Sequence, residues 1–150
     1  VLSLKKKSIL IVDDLADNLF LLKTILEAEG YAVEAASSGR DALARVEEAT
    51  PDLLLLDVMM PDMTGYEVAH RLRQNSRFAS LPIVLITAHD ESALDRGEAV
   101  GANGFIRKPI DLDELLARVQ FFVAGSDAVG LDAARSDAVG FEQTTLSQNR

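Results

Sequence analysis

At 150 residues, with 48% apolar and 26% charged side chains, the chain has the size and composition of one globular domain with a substantial core. A formal net charge of −9 speaks against non-specific nucleic-acid binding, which needs a cationic footprint, but is compatible with a basic protein partner. The absence of cysteine excludes disulfides, thiolate catalysis and Cys-ligated zinc.

The lead-in, residues 1–7, carries Lys5-Lys6-Lys7 ahead of the apolar run Ile9-Leu10-Ile11-Val12. Asp13-Asp14 ends that run too early for a signal peptide, and no small-residue cleavage site follows. No other apolar run approaches the roughly 18 residues of a membrane span, so no membrane contact and a cytoplasmic location are expected.

Leu15, Leu19, Leu22 and Leu26 recur at helical spacing, and Gly30 is a natural stop. Tyr31 to Ala35 reads as a short, more polar strand of the kind found at a sheet edge. Asp41 to Glu48 reads as a helix after Ser37-Ser38-Gly39 and before Pro51. Leu53 to Leu56 forms a third strand running into Asp57. The segment from Met59 through Pro61 and Asp62 to Gly65 is a loop, followed by a helix near Tyr66 to Gln74. Pro82 opens a fourth strand, Ile83 to Ile86, ending at Thr87. A helix near Glu91 to Val100 is closed by Gly101, and Gly104 to Arg107 forms a fifth strand running into Lys108-Pro109.

The last helix runs from about Leu112 to Val123. Leu112, Leu115, Leu116, Val119, Phe122 and Val123 fall on one stripe that should pack on the sheet, with Phe121 roughly opposite. Strands alternating with helices over short connections specify an α/β fold, a doubly wound five-stranded parallel sheet with right-handed crossovers. Composition changes at Gly125. Residues 125–150 are small and polar, and Ser-Asp-Ala-Val-Gly occurs at 126–130 and 136–140, too briefly to make a repeat fold. This stretch reads as a flexible tail or linker, because it buries too little apolar surface to offset its ordering entropy.

Short, fully apolar runs read as strands covered on both faces, and such sheets place ligands beyond their carboxyl ends. Asp13, Asp14, Asp57, Thr87 and Lys108 should therefore converge at one sheet edge. Taken singly, Asp57 reads as a turn-capping residue and Asp13-Asp14 as a first-turn helix cap. As a set they read differently. Clustered carboxylates repel and favour a hard divalent cation, and Mg2+ suits a few carboxylates, waters and a phosphate oxygen. The Thr87 hydroxyl can donate to a phosphoryl oxygen, and Lys108 supplies a point charge for the same group.

In order, Ile-Val-Asp13-Asp14, Leu-Leu-Leu-Asp57-Val-Met-Met-Pro61-Asp-Met-Thr-Gly65, Ile-Thr87-Ala88 and Phe105-Ile-Arg-Lys108-Pro109 resemble the receiver domain of bacterial two-component response regulators. The resemblance covers about residues 8–124. It implies a flavodoxin-like fold of strand order 2-1-3-4-5, in agreement with the edge-like second strand. It also implies that Asp57 accepts a phosphoryl group from a sensor histidine kinase or a histidine phosphotransfer protein. By the same match Asp14, Asp57 and the Met59 backbone carbonyl bind Mg2+, while Asp13 acts through water. Thr87 and Lys108 would contact the phosphoryl oxygens. Thr87 would then move and let Phe105, at the switch-aromatic position, turn inward. The face made by the fourth helix, fifth strand and fifth helix would change for a partner, and Phe121 is read as an anchor there for a homodimer or another protein.

Met59 and His89, two residues after Asp57 and Thr87, flank the path of attacking water in that family, so slow dephosphorylation is expected. His70 reads as a surface residue, and the three methionines as packing rather than a metal box. Two other functions compete. A Mg2+-dependent phosphohydrolase using Asp57 is weakened by Met59, where that pattern wants a second Asp. A constitutive docking module would have no need to keep the acidic cluster.

Overall fold

The computed structural model describes residues 5–88 and 91–127. Its elements in chain order are β1 (Ser8–Val12), α1 (Ala16–Ala28), β2 (Ala32–Ala36), α2 (Gly39–Glu48), β3 (Leu53–Asp57), α3 (Gly65–Arg73), a 3-10 turn (Ser76–Phe78), β4 (Ile83–Thr87), α4 (Glu91–Ala99), β5 (Gly104–Arg107) and α5 (Leu112–Asp127). The strands form one sheet in the order β2-β1-β3-β4-β5, with every pairing parallel.

Alternation along the strands divides the core into two layers. Ile9, Ile11, Leu53, Leu55, Val84, Ile86 and Ile106 face one side, where Leu22 and Leu26 of α1 and Leu115, Val119, Phe122 and Val123 of α5 cover them. Leu10, Val12, Leu54, Leu56, Leu85 and Phe105 face the other, against Ala42 and Val46 of α2 and Val68, Ala69 and Leu72 of α3. With period-two side chains and both faces covered, the central strands run apolar, and β3 and β4 are buried along their whole length, while the edge strand β2 exposes Glu34.

The helix ends depart from expectation where a cap decides them. Helix α2 starts at Gly39 rather than Asp41, because the Ser38 Oγ accepts from Asp41 N at 3.0 Å. Leu15, expected on the buried stripe of α1, precedes the helix and is 56% exposed. Leu112 opens α5 and is 47% exposed, so it does not join the packed stripe that begins at Leu115. Helix α5 continues to Asp127, past the change in composition at Gly125.

The 3-10 turn gave no periodic signal. Asn75 Oδ1 accepts from Arg77 N at 2.9 Å, and the turn buries Phe78. Arg73 then ties this region to the α4–β5 connection. Its guanidinium donates to the carbonyls of Gly101 (2.9 Å) and Phe78 (2.8 Å) and to Asn103 Oδ1 (2.8 Å). The same Asn103 oxygen accepts from Ile83 N at the start of β4.

Candidate functional site

Parallel register brings the strand ends together. Val12 pairs with Leu56, Asp57 with Ile86, and Thr87 with Arg107, so Asp13, Asp57, Thr87 and Lys108 stand side by side along the carboxyl edge. Asp13, Asp57 and Thr87 are buried, and Asp14 is exposed at the rim. Carboxylate oxygens of Asp13, Asp14 and Asp57 lie within 4.8 Å of one another. The convergence expected of the acidic residues and Lys108 is therefore present.

Asp13 serves locally as well. Its Oδ1 accepts from Leu15 N (2.9 Å) and its Oδ2 from Asn18 Nδ2 (3.0 Å), which fixes the chain as it enters α1. Lys108 Nζ stands 3.0 Å from Asp57 Oδ1, an ion pair whose alignment falls short of a hydrogen bond. That oxygen is buried and accepts no hydrogen bond. Burial pushes the Asp57 carboxyl above its ordinary range. Lys108 opposes the shift, and the neighbouring Asp13 charge adds to it. A buried carboxylate oxygen without a hydrogen bond, beside two more carboxylates, is the donor set a hard cation completes. The cluster can hold a metal ion.

The backbone around Asp57 is tightly placed. Val58 N donates to Ile86 O at 3.0 Å, and Gly65 N to Val58 O at 2.9 Å. A β-carbon on Gly65 would fall 2.5 Å from the Asp57 carbonyl oxygen, so this close approach requires glycine. Lys108 N donates to Thr87 O at 2.7 Å, and the Lys108–Pro109 peptide is cis. Beside Lys108 and Asp13, a cavity of about 250 Å3 is lined mainly by apolar groups, among them Leu21, Pro109 and Leu112.

These strand-end residues, on a parallel sheet of order 2-1-3-4-5, lie within a match to the response regulator receiver domain over residues 9–120. The chain belongs to that family. It is a receiver domain of two-component signalling, a phosphorylation-dependent switch of the kind that takes its phosphoryl group from a histidine kinase. The receiver is 42% identical over 113 residues to the phosphate regulon transcriptional regulatory protein PhoB of Rhizobium meliloti, a match covering 75% of this chain and 50% of PhoB. The chain spans about half the length, or less, of the first curated relatives it matches.

Among solved structures, the chemotaxis response regulator CheY4 of Vibrio cholerae superposes with a TM-score of 0.75 at 34% identity, covering 79% of this chain and 99% of CheY4. The response regulator TrrA of Thermotoga maritima, in complex with Mg2+ and BeF, matches with a TM-score of 0.70 at 34% identity, covering 77% and 98% of the two chains.

Several side chains of the receiver occupy places the linear pattern left undecided. Met60 is buried and Met63 packs on the core, as expected, but Met59 is 68% exposed and fills no gap. It stands two residues past the end of β3 and faces solvent between buried Val58 and Met60. Phe105 is buried, with its ring against Gly97 of α4. Phe121 is 42% exposed and meets Phe122 edge to face, with ring centroids 5.4 Å apart. His70 is exposed on α3, and His89 lies outside the described residues. Sequence reasoning missed Asp62, which accepts backbone N–H groups of α2, and Gly97. A Pro-Asp pair in a loop signals a turn and nothing about its distant partner.

Proposed function

We propose that Asp57 is the phosphoacceptor of this receiver and that it works with Mg2+ held by Asp14, Asp57 and the Met59 backbone carbonyl, with Asp13 acting through water. The observation that carries this reading is the buried Asp57 Oδ1, which accepts no hydrogen bond while lying 3.0 Å from Lys108 Nζ and beside two further carboxylates. Both Asp13 oxygens already accept hydrogen bonds, which supports its indirect role. The bound Mg2+ would supply neutralising charge for the transferring group.

The remaining work belongs to the chain. The Asp57 carboxylate attacks phosphorus in line, and the P–N bond to the donor histidine breaks with its electron pair returning to the imidazole. Lys108 offsets charge on the phosphoryl oxygens, and Thr87, one strand away, donates its hydroxyl to one of them. A phosphoaspartate places roughly two negative charges where one stood. The resulting shift of Thr87 and Phe105 would alter the α4–β5–α5 face, where exposed Phe121 is the proposed anchor for a homodimer or another protein. The functional unit is residues 8–124, with residues 128–150 outside the described structure. Among the described residues no helix is long and apolar enough to cross a membrane. The donor is a sensor histidine kinase or a histidine phosphotransfer protein, and the reading carries a cytoplasmic location with it.

Acetyl phosphate with Mg2+ tests the proposal. Expected is an acid-labile phosphoprotein with one modified site, absent in Asp57→Asn, together with weaker Mg2+ binding in Asp14→Ala. Multiple turnover of phosphate esters, or equal labelling of Asp57→Asn, would overturn it. Sedimentation with and without beryllofluoride tests the dimer: a monomer in both states, unaffected by Phe121→Asp, removes that part.

A further inference from the structure

The first turn of α2 leaves four amides without partners inside the helix. Ser38 answers for one of them, its Oγ accepting from Asp41 N, while its carbonyl takes the first helical bond from Ala42 N, each at 3.0 Å. Two more go to a side chain 22 and 23 residues away in sequence. Asp62 Oδ1 accepts from Gly39 N and Oδ2 from Arg40 N, both at 3.0 Å. Met63 lies so close over Gly39 that a β-carbon there would overlap its Cγ.

Asp62 belongs to residues 58–64, the segment that follows Asp57. That segment is tied at its start by Val58 N to Ile86 O and closed by Gly65 N to Val58 O. Between these ties, Asp62 and Met63 fasten its middle to the start of α2. An ordinary cap comes from the residue just before a helix, and Ser38 already fills that place. Asp62 therefore holds two segments together rather than merely ending one.

We propose that Asp62 is a positioning residue of the phosphorylation site: by gripping the first two amides of α2 it fixes segment 58–64, and with it the Met59 carbonyl, where a Mg2+ ligand is required. The inference rests on the metal assignment proposed above. Both carboxylate oxygens take part, and an amide offers only one acceptor oxygen. Asp62→Asn therefore keeps the size of the side chain but half of the grip.

The test is calorimetric titration of the full chain with MgCl2, with urea unfolding run alongside. Ser38→Ala is the control, because it removes a cap from the same helix without touching segment 58–64. Asp62→Ala should raise the Kd for Mg2+ about fivefold and Asp62→Asn about twofold, the scale of a lost cap. Ser38→Ala should leave that Kd unchanged while lowering stability as much as Asp62→Ala does. The Met59 amide resonance of the metal-free protein should move in both Asp62 variants and stay in place in Ser38→Ala. An unchanged Kd in the Asp62 variants, or an equal rise in Ser38→Ala, overturns the positioning role and leaves the metal assignment standing. A wild-type chain that binds no Mg2+, or binds it independently of Asp14, overturns both.

Discussion

Phe105 occupies the space that a side chain at position 97 would need: a β-carbon built on Gly97 overlaps the tip of the Phe105 ring. The ring comes from β5 and is buried in the core layer shared with α2 and α3, so α4 can lie over it only because position 97 carries no side chain. Gly97→Ala should displace the ring and lower stability by about 1–3 kcal/mol, the usual range for overpacking a core site. Gly97→Ala combined with Phe105→Leu should recover most of that loss. Urea unfolding of the four proteins in a double-mutant cycle gives the coupling, and additive effects would show that the two positions do not press on each other.

Asp57→Asn should be more stable than the wild-type receiver in metal-free buffer at neutral pH. Burial raises the Asp57 carboxyl above its ordinary range, so ionisation there opposes folding. A folded-state value above the unfolded one means that the native state holds its proton longer. Wild-type stability therefore falls as pH rises from the ordinary carboxylate value through the raised one. The advantage of Asp57→Asn should thus be full above that window and disappear below it. Thermal unfolding at a series of pH values in EDTA checks the sign.

Dephosphorylation should be slow in this receiver, because the exposed Met59 side chain cannot orient an attacking water by hydrogen bonding. Met59→Asn places an amide at that position and should shorten the phosphoaspartate lifetime several-fold. The decay of labelled protein after removal of the donor measures it. An equal or longer lifetime in Met59→Asn would count against this account.

Asp62 titrates with the opposite sign to Asp57. The Arg40 and Gly39 amides hold its carboxyl below the ordinary carboxylate range. Its contribution is present in full above the ordinary value and is lost as pH falls through the lowered one. The stability difference between wild type and Asp62→Asn should therefore be constant near neutrality and shrink in acid. Urea midpoints across that range supply the measurement, and a difference that grows in acid would contradict the assigned partners.

The central strands were legible because a parallel sheet covered on both faces demands uninterrupted apolar runs, and Leu53–Leu56 and Ile83–Ile86 could be little else, whereas the strand order came from the resemblance to receiver domains. Helix ends were less so. Leu15 and Leu112 have the spacing of buried residues but lie at helix starts, where the chain has not yet turned onto the sheet. Met59 shows the same limit, since it lies exposed between buried Val58 and Met60 and the path of the loop after β3, not an apolar pattern, decides which of the three faces solvent.

The sequence by itself determined which residues meet at the carboxyl edge. Asp13, Asp14, Asp57, Thr87 and Lys108 each end or follow a strand, and parallel pairing carries every such end to the same side. Only the tertiary structure decided how that edge is held, with Asp62 on the α2 amides and Gly65 beneath the Asp57 carbonyl, and it alone set Gly97 beside Phe105 and Arg73 across the α4–β5 connection at the opposite edge. Periodicity reports which face of an element is buried. The partner of a loop carboxylate, or the space left by a glycine, depends on where segments distant in the chain come into contact, and no local pattern encodes that distance.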